Sequence, residues 1–509
     1  MISDDQAARE RAIDPTMSFC VSAPAGSGKT ELLTQRLLAL LARVEKPEQV
    51  LAITFTRKAA SEMAARVIEK LEEARAEAPI EAAHEQVTRA LAQQVLTHAQ
   101  ERDWRLNESS LNLRTIDSFC HELTRQMPVL SGMGGIAEPV DNAASLYERA
   151  VSDFLHQAGE GEVGASISAL LSHFDNRWSK VSELLVALLS RRGDWGPHIG
   201  QHHDPVSAEA AIGSTLSDLV NDRLEALSEQ FADDTQELCE VLNGAREALA
   251  LSPIRLTHTT EALEGWRAVS KAFLTNDLTW RKPRGINAKQ GFQKDSVIKA
   301  RFLALLERYG DNERLQEALI EARYLPNPCG RGEGWRLVVL LSSLLPVLQA
   351  HLLLAFQRTG TVDHTHIALA ANQALGSDES PTPLAERLDY QLEHILVDEF
   401  QDTAASQVEF LRRLTRGWAE HNATGAMPRT LFVVGDGMQS IYGFRYADVR
   451  LFLRIRQAGL AGLTLTPLTL SQNFRSRPAV VDWVNQVFSE LMGQIDDINV
   501  GRVSHVHAT

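Results

Sequence analysis

Two short segments hold residue types whose spacing suits phosphate and metal binding. The first follows the apolar run 19–21 and reads, in order, Ala23, Pro24, Ala25, Gly26, Ser27, Gly28, Lys29 and Thr30. Glycines at this spacing let backbone N–H groups approach phosphate oxygens, and a helix that follows presents its positive N-terminus. Lys29 is then expected to reach the β- and γ-phosphates of a nucleotide, and the Thr30 hydroxyl to ligate Mg²⁺. The competing interpretation, a chance glycine-rich turn, is disfavoured by the strand before it and the helix after it.

The second segment is an apolar strand, 395–397, that ends in two adjacent carboxylates, Asp398 and Glu399. Open α/β sheets bind ligands at the carboxyl ends of their strands. Asp398 is expected to hold Mg²⁺, directly or through water, and Glu399 to polarise an attacking water. A solvated acidic strand end is the alternative, and the pairing with Lys29 argues against it. Together the two segments predict a hydrolase that uses ATP and Mg²⁺.

The elements around these segments alternate between strand and helix near both ends of the chain. Residues 19–24 and 50–55 are predicted strands, each followed by a predicted helix, 28–43 and 58–74. Strands joined through helices form parallel sheets, so the predicted fold class is α/β. Further strands are predicted at 111–116, 393–397, 430–434 and 463–470. Between about 140 and 390 amphipathic helices dominate without clear strands, which predicts a mostly helical insertion.

Two segments after the carboxylates could also meet a nucleotide or a nucleic acid. Gln439, beyond the strand 430–434, could sense a γ-phosphate by hydrogen bonds, and the nearby Tyr442 and Phe444 could stack on bases. Core packing is the alternative for both aromatic residues. Arg475 could reach the γ-phosphate from a second domain and stabilise charge in the transition state, although a lone arginine is usually a surface residue.

Composition indicates a globular protein with several domains. Its 509 residues are too many for one core, and its 44% apolar and 23% charged residues are ordinary values. The four cysteines lie far apart, which argues against a zinc site, an iron–sulfur cluster and a disulfide framework. No apolar run reaches the length of a membrane span and the N-terminus is polar, so we expect a cytoplasmic protein without a membrane partner.

The charge distribution gives two opposing indications about nucleic-acid binding. A net charge of −15 counts against nucleic-acid binding, because a phosphate polymer should meet a basic face, but binding depends on local patches. One such patch, the basic loop (residues 281–301), holds seven cations and a single acid, Asp295, with Trp280 and Phe292 interleaved. The cations are Arg281, Lys282, Arg284, Lys289, Lys294, Lys299 and Arg301. A phosphate-contacting loop and a solvated basic loop are both open interpretations.

Six sequence blocks occur in an order that resembles the UvrD/Rep-like superfamily 1 DNA helicases. The blocks are APAGSGKT, ITFTRKAASEMAAR, LRTIDSFC, LVDEFQDT, VVGDGMQSIYGFRYAD and LSQNFRS. The AxAGSGKT form, the RTIDSFC block and the large helical insertion look closest to the RecB/AddA-type branch. The resemblance implies a RecA-like P-loop NTPase domain in an ATP-dependent 3′→5′ DNA helicase that moves along single-stranded DNA in repair or recombination. It also implies ATP and Mg²⁺ as cofactors, single-stranded DNA and duplex junctions as partners, and a nuclease partner subunit.

The resemblance assigns roles to individual residues of the blocks. The catalytic positions match Lys29, Glu399, Gln439 and Arg475, and the Mg²⁺ positions match Thr30 and Asp398. Nucleotide contacts beyond residues 23–30 are expected at Glu31, Arg36 and Gln6. Contacts to the single strand are expected at Thr54, Thr56, Arg57, Thr115, Asp117, Ser118, Phe119, Tyr442 and Phe444. The place of the family's usual adenine-reading glutamine is occupied by Arg9, so Gln6, one helical turn earlier, is the candidate for that role.

The expected domain organisation follows from the blocks and from the change of pattern between them. The ATP-binding domain is expected over 1–134 and 391–455, with a small helical insertion at 76–105 and a large one over 135–390. Residues 456–509 are expected to begin a second RecA-like domain, which favours a fragment of a longer helicase. The alternative is a truncated ATP- and DNA-binding module, or part of a helicase–nuclease that has no unwinding activity of its own.

Overall fold

The computed structural model describes most of the chain as two compact units. The described residues are 4–76, 83–133, 137–199, 205–231, 234–310, 312–327, 333–443, 446–492, 496–498 and 501–509. Unit 1 comprises Met1–Val151, Glu183–Gly196 and His351–Thr509, and unit 2 comprises Ser152–Ser182 and Pro197–Ala350.

Unit 1 is built on a parallel six-stranded sheet with the strand order β3-β2-β6-β7-β1-β8. The strands of the chain are β1 (Phe19–Ser22), β2 (Val50–Thr54), β3 (Asn112–Thr115), β4 (Glu138–Val140), β5 (Thr361–Asp363), β6 (His394–Val397), β7 (Thr430–Gly435) and β8 (Thr466–Thr469). Phe19 of β1 is opposite Phe432 of β7 on one side and Thr466 of β8 on the other. The inner strands are continuous apolar runs that are buried along their length, as strands covered on both faces require.

Helices connect the strands of unit 1 and fill unit 2. In chain order they are α1 (Asp4–Ala12), α2 (Lys29–Leu41), α3 (Arg57–Ala76), α4 (Ala83–Glu101), α5 (Ile116–Gln126), α6 (Ala144–Leu155), α7 (Gly161–His173), α8 (Trp178–Ser190), α9 (Arg192–Ile199), α10 (Pro205–Phe231), α11 (Thr235–Glu247), α12 (Leu263–Phe273), α13 (Val297–Tyr309), α14 (Glu313–Tyr324), α15 (Glu333–Thr359), α16 (His364–Leu375), α17 (Pro383–Gln391), α18 (Ala405–Leu414), α19 (Trp418–Ala423), α20 (Val449–Ala458) and α21 (Pro478–Leu491).

The main core of unit 1 lies between the sheet and the helices that follow its first two strands. Leu33 and Leu37 of α2 and Val67 of α3 pack in one cluster with Phe432 and Val434 of β7. Each of these side chains is buried almost completely, so burial of apolar area holds α2, which follows the phosphate loop, and α3 against the sheet.

A second, smaller sheet in unit 1 pairs β4 with β5 in parallel, where the sequence indicated no clear strand. Asp363, the last residue of β5, is buried and forms an ion pair with the equally buried Arg192 of α9. The same carboxylate accepts hydrogen bonds from the Tyr147 hydroxyl and, at 2.7 Å, from the His366 backbone N–H. We call Arg192, Asp363, Tyr147 and His366 the Asp363 cluster.

Unit 2 is helical in the part that the structure describes and has its own apolar core. Phe231 of α10 packs against Trp266 and Phe273 of α12 at ring-centroid distances of 5.8 Å in both cases. Phe302 of α13 adds to the same cluster, 5.1 Å from the Phe273 ring. A unit with a core of this kind has the basis for independent stability.

Two expectations about the architecture change in the structure. Residues 137–151, 183–196 and 351–390, expected within the large insertion, belong to unit 1 with the sheet. The segment 456–509, expected to begin a second domain, also belongs to unit 1, because its strand β8 pairs with β1 at the edge of the same sheet. Within the described residues this segment extends the first sheet, since its strand finds a partner there and leaves no separate core.

One helix differs from the expectation that no segment is long and apolar enough to span a membrane. Residues 334–359 of α15 pass that test by length and composition, and 28% of the most apolar window is buried inside the fold. Leu348 and Leu352 are fully buried, whereas Leu353 and Leu354 are exposed.

Candidate nucleotide site

The phosphate loop (residues 23–30) bends sharply between β1 and α2. Gly26 and Gly28 both have left-handed backbone conformations, with φ of 80° and 74°, which side chains with a Cβ rarely adopt. A Cβ on Gly26 would also lie 2.7 Å from the Asn473 Oδ1 atom, so there is no space for one. Gly28 is the N-cap of α2, and the loop therefore opens at the positive end of that helix. Conformation and dipole together suit an anionic ligand.

Lys29 lies between the two carboxylates that end β6. Its Nζ atom is 3.2 Å from Asp398 Oδ1 and 2.5 Å from Glu399 Oε1. The strands β1 and β6 are separated in the sheet by β7 alone, so their carboxyl ends lie at the same edge. The structure thus brings together the two segments that the sequence separates by more than three hundred residues.

Gln401 connects the catalytic candidates to the end of β7. Its side-chain amide donates to Glu399 Oε2 at 2.8 Å and to Asp402 Oδ2 at 3.2 Å, and its Oε1 atom accepts from the Asp436 backbone N–H at 2.9 Å. Asp436 in turn accepts a hydrogen bond of 2.5 Å from the Gln439 side chain. The predicted sensor Gln439 is therefore held at the sheet edge, and Gln401 fixes the orientation of Glu399.

The pKa values of the ionisable side chains at the site are shifted in different directions. Burial lowers the pKa of Lys29, but the two neighbouring carboxylates outweigh burial and raise it overall, so Lys29 is a cation. Burial raises the pKa of Asp398 above its ordinary value, although Lys29 opposes that change. For Glu399, Lys29 and Gln401 outweigh burial and lower the pKa, so this carboxylate is ionised at neutral pH. Burial and the charge of Glu399 raise the pKa of Asp402 to about 6.

The residues present fit a magnesium–nucleotide complex. The Ser27 Oγ atom in the phosphate loop is buried without a hydrogen-bond partner among the described residues, which leaves a donor for a phosphate oxygen. Thr30 begins α2 next to Lys29 and offers a hydroxyl, and Asp398 offers a carboxylate, which are the hard oxygen ligands that Mg²⁺ prefers. Thr30 and Asp398 would hold the metal ion.

The LSQNFRS segment lies directly on the phosphate loop. Phe474 donates its backbone N–H to the Gly26 carbonyl at 2.8 Å, and the Asn473 side chain donates to the Ala25 carbonyl at 3.2 Å. Asn473 Oδ1 also accepts from the Arg475 backbone N–H at 2.9 Å, and the Arg475 side chain is exposed. The predicted arginine finger is thus adjacent to the loop, in unit 1.

Sequence reasoning missed two residues of α1 that support the loop. The Arg9 guanidinium donates to the Ser27 carbonyl at 2.7 Å and lies over the Phe474 ring, 5.2 Å from its centroid. Asp5 pairs with Arg9 at 2.6 Å and accepts the backbone N–H groups of Ser471 and Gln472. The only signal in the sequence was the charged pair one helical turn apart. Gln6 on the same helix is exposed and donates to Glu10 at 2.9 Å.

The structure places Arg36 in the core. Its side chain is fully buried and donates to the backbone carbonyls of Ala12, Asp14 and Met17 and to the Thr430 hydroxyl. Burial lowers the pKa of Arg36 to about 9. These bonds tie α1 to the sheet, and of the Arg36 nitrogen atoms only Nε is buried without a hydrogen-bond partner among the described residues, so the nucleotide contact stays a prediction.

Glu31, also expected to contact the nucleotide, faces the helix α4. It accepts hydrogen bonds from the Thr88 hydroxyl and, at 3.5 Å, from the Gln35 side chain. Gln35 bonds Thr88 at 2.9 Å in the same group. The position of Glu31 in the first turn of α2 suits the helix dipole, which accounts for a carboxylate there without a ligand.

Some of the residues expected to contact single-stranded DNA are exposed and others are buried. Thr56 and Arg57, just after β2, are exposed. Thr54 and Phe119 are buried, and Phe119 packs edge-on against Phe410 at 5.7 Å. Neither side chain is exposed in this structure, and their contact with a single strand stays a prediction.

The remaining strand candidates surround α5 and the end of β7. Thr115 is buried and caps α5 by accepting the Ser118 backbone N–H at 3.1 Å, while Asp117 accepts from Gln407 at 2.9 Å. Tyr442 is half-buried. Its ring lies 4.4 Å from the ring of Phe55. Phe444 lies outside the described residues.

A cavity of about 410 Å³ in unit 1 lies beside these candidates. Its lining includes Phe55 after β2, Asp117 of α5, Asp402 and Tyr446. Asp402 Oδ1 has no hydrogen-bond partner among the described residues. Because Gln401 bonds both Asp402 and Glu399, the cavity and the catalytic candidates share one hydrogen-bond network.

A parallel sheet with a phosphate loop after β1 and a carboxylate pair after β6, with β7 alone between these two strands, defines the RecA-like P-loop fold. The family model of the UvrD/REP helicase N-terminal domain matches residues 4–458, and the chain belongs to that family. The family expected from the six blocks is thereby confirmed.

Curated relatives carry names that agree with the expected helicase–nuclease branch. A protein of Exiguobacterium sibiricum, named as an ATP-dependent helicase/nuclease subunit, is 27% identical over 537 aligned positions, covering 98% of this chain and 42% of the relative. Proteins of the same name from Desulfitobacterium hafniense and Bacillus cytotoxicus are 28% and 27% identical, over 95% and 93% of this chain and 36% and 38% of their own lengths. The chain spans about two-fifths of the length of these relatives.

Proposed function

We propose that this chain contains the ATP-hydrolysing domain of a DNA helicase. The observation that carries the proposal is that Lys29 contacts both Asp398 and Glu399 at the edge of the sheet. Lys29 directly follows Gly28 in the phosphate loop, where Gly26 and Gly28 have left-handed backbone conformations. This arrangement places a cation for phosphates, a metal-binding carboxylate and a base for water within one small volume. Membership of the UvrD/REP family and the names of the relatives support DNA as the polymer.

Each residue has a distinct task in the proposed hydrolysis. Backbone N–H groups of the phosphate loop and Lys29 bind and orient the phosphates, and the ionised Glu399, oriented by Gln401, accepts a proton from the attacking water. Arg475 stabilises charge on the phosphate in the transition state. Mg²⁺, when held by Thr30 and Asp398, neutralises negative charge on the phosphates.

The finer parts of the proposal concern direction and setting. We infer movement along single-stranded DNA in the 3′→5′ direction, action at duplex junctions during repair or recombination, a cytoplasmic location and a partner that is a nuclease. The order of the six blocks and the helicase/nuclease name of the relatives support this interpretation. The exposure of Thr56 and Arg57 supports the proposal that they bind the backbone of the strand.

The first experiment measures ATP turnover by the full chain with and without a single-stranded oligonucleotide. We expect Mg²⁺-dependent turnover that the oligonucleotide raises, and we expect Lys29→Ala to abolish it. Lys46→Ala, which removes an exposed cation far from the loop, is the matched control and should retain full turnover. Turnover that Lys29→Ala leaves unchanged would refute the proposed site, and turnover that DNA never alters would refute the helicase assignment.

A second experiment tests direction and strand separation. Duplexes with a 3′ or a 5′ single-stranded tail are supplied with ATP, and release of the labelled strand is followed by fluorescence. Preferential release from the 3′-tailed duplex is the expected result, and preference for the 5′ tail would contradict the proposed polarity. DNA-stimulated turnover without release from either duplex would support the alternative of a binding module that does not unwind DNA.

A further inference from the structure

The LSQNFRS segment leaves the sheet at the end of β8 and turns onto the phosphate loop. Fully buried Leu470 still continues the pairing of β8 with β1, because its backbone N–H donates to the Ser22 carbonyl at 2.9 Å. The next two residues, Ser471 and Gln472, donate their backbone N–H groups to one oxygen, Asp5 Oδ1, at 2.7 and 3.1 Å. A side chain of α1 therefore sets the path of the chain towards the predicted arginine finger.

Asp5 is a buried and ionised acceptor, and only 5% of its surface is exposed. Burial raises the pKa of its carboxyl group, but Arg9 and the two backbone N–H donors outweigh burial and lower the pKa overall. The Arg9 Nε atom donates to Asp5 Oδ2 at 2.6 Å, so the carboxylate accepts three hydrogen bonds. Hydrogen bonds to an ionised acceptor are stronger than those to a neutral one, which makes this an effective anchor for the segment.

The Arg9 guanidinium connects this anchor to the phosphate loop. Its Nη2 atom donates to the Ser27 carbonyl at 2.7 Å, and the group lies over the Phe474 ring, 5.2 Å from the centroid. A Cβ on Gly28 would lie 3.4 Å from Arg9 Nη1 and 3.5 Å from the Phe474 ring, so all three residues meet at one point. Helix α1, the phosphate loop and the LSQNFRS segment are thus joined by a single pair of side chains, Asp5 and Arg9.

The backbone of Arg475 is held against the loop, whereas its guanidinium has no partner within the described part of the chain. The Arg475 backbone N–H donates to Asn473 Oδ1 at 2.9 Å, and a Cβ on Gly26 would lie 2.9 Å from the Arg475 Cβ atom. The side chain is exposed, and no hydrogen bond or ion pair of its guanidinium is present among the residues that the structure describes. Nothing described therefore competes with a phosphate for this cation, and its location depends on the backbone that carries it.

We infer that Asp5 and Arg9 are positioning residues for Arg475, which they keep beside the bound phosphates by holding the LSQNFRS segment on the phosphate loop. The pair acts through the segment and does not touch the reacting atoms. Stabilisation of a transition state depends on exact placement, and a shift of about 1 Å can cost about 10²-fold in rate. The competing explanation is that Asp5 only favours the first turn of α1, as acids at helix N-termini do. The inference rests on the proposed role of Arg475 in ATP hydrolysis.

The test is a cycle of variants of the full chain, Asp5→Ala, Arg475→Ala and the two together, assayed for ATP turnover with Mg²⁺ and a single-stranded oligonucleotide. We expect Asp5→Ala to decrease kcat by about 10²-fold at an unchanged KM for ATP, and Arg475→Ala to decrease kcat by about 10³-fold. The double variant should be no slower than Arg475→Ala, because Asp5 acts only through that arginine. Arg9→Met, which keeps the stem of the side chain and removes the guanidinium, should show the same pattern.

A neighbouring acid provides the matched control. Asp4→Ala removes an exposed carboxylate from the same first turn of α1 and should retain full turnover. Hydrogen exchange of the backbone amides of the segment, measured by mass spectrometry, should be faster in Asp5→Ala than in Asp4→Ala, because Ser471 and Gln472 lose their acceptor. If Asp5→Ala fails to fold, Asp5→Asn keeps one acceptor oxygen and should decrease kcat by about 10-fold, with the same behaviour in the cycle. Circular dichroism establishes folding of each variant.

Three results would overturn the inference. Losses that multiply in the double variant would mean that Asp5 acts independently of Arg475. Equal kcat in Asp5→Ala and Asp4→Ala would leave only the effect of an acid in the first turn of α1. Equal amide exchange of the segment in these two variants would mean that Asp5 does not hold it. Absence of turnover in the unmodified chain would instead be a failure of the proposed function, and amide exchange, which needs no turnover, would still decide whether Asp5 holds the segment.

Discussion

Two groups in unit 1 each pair a cation with carboxylate oxygens, buried Arg192 in one and half-buried Lys29 in the other. They differ in how many partners each carboxylate has. In the Asp363 cluster, one carboxylate accepts from the two guanidinium nitrogens of Arg192, from the Tyr147 hydroxyl and from the His366 backbone. At the nucleotide site, one ammonium group faces two carboxylates. In the Asp363 cluster one negative charge faces one positive charge, whereas at the nucleotide site two carboxylates share one positive charge.

This difference separates a structural ion pair from a binding site. Burial raises the pKa of a carboxyl group, but in the Asp363 cluster the partners of Asp363 outweigh burial and lower its pKa. Asp398, at the nucleotide site, keeps a raised pKa because burial, together with the charge of Glu399, outweighs the effect of Lys29. The excess negative charge at the nucleotide site suits a metal ion, whereas the Asp363 cluster has no capacity left for a ligand.

The largest expected effect comes from an acid-to-amide change at the nucleotide site. Glu399→Gln removes the proposed base, and we expect ATP turnover to decrease by about 10²- to 10⁴-fold, the usual range for a general base. Because Lys29 keeps Asp398 as its partner, the free energy of unfolding should change little. Turnover is measured with the DNA oligonucleotide, and stability by urea unfolding. Glu420→Gln, on the surface, is the control; equal turnover in the two variants would remove Glu399 from the mechanism.

The same type of change in the Asp363 cluster should act on stability instead. Asp363→Asn leaves the Arg192 charge buried without its partner, and we expect the free energy of unfolding to decrease by about 3–5 kcal/mol. The double variant Arg192→Met with Asp363→Leu should recover much of that loss, since apolar groups of similar volume replace the pair. Urea unfolding of the single and double variants measures both effects. A double variant as unstable as Asp363→Asn would contradict the account of this cluster.

Arg36 provides a smaller test, because it is the cation that the sequence assigned to the nucleotide and the structure assigns to the core. Arg36→Met leaves three backbone carbonyls without their donor, and we expect stability to decrease by about 2–3 kcal/mol. Affinity for a fluorescent ATP analogue should not change in the folded protein. Weakened nucleotide binding with unchanged stability would support the role predicted from the family.

The effect that is smallest per pH unit is on the pH dependence of stability. Burial lowers the pKa of His394 to about 3 and that of His366 to about 4, below the ordinary value of 6.5. Both rings are neutral in the folded state, and the unfolded chain takes up protons first as the pH falls below 6.5. Each histidine should therefore reduce stability by about 1.4 kcal/mol per pH unit between pH 6.5 and 4.

Substitution of one of these histidines checks the sign. His394→Gln should make the decline in stability between pH 6.5 and 4 shallower by up to about 1.4 kcal/mol per unit. The exposed His84→Gln is the control and should leave the slope as it is. Urea unfolding at a series of pH values measures both variants. Asp402, whose pKa is raised to about 6, contributes in the opposite direction between pH 4 and 6 in all of them.

Much of the fold could be predicted because its signals are local. Apolar runs marked each of the six strands of the main sheet to within a few residues, and alternation of strands with helices indicated parallel pairing. The short strands β4 and β5 escaped detection because each has only three residues, too few to show a periodic pattern, and β4 also contains Pro139. Assignment of β8 to a second domain failed because a strand's sequence does not state which sheet edge will accept it.

For the site, the sequence by itself determined the phosphate loop and the carboxylate pair, since glycine, lysine and carboxylate at those spacings have few other uses. Only the tertiary structure decided which groups complete the site. Arg9 reaches the loop from α1, Asn473 and Arg475 reach it from beyond β8, and Gln401 links Glu399 to Asp436. These contacts join residues that are distant in the chain, and hydrogen bonds form only after packing brings their donors and acceptors within about 3 Å.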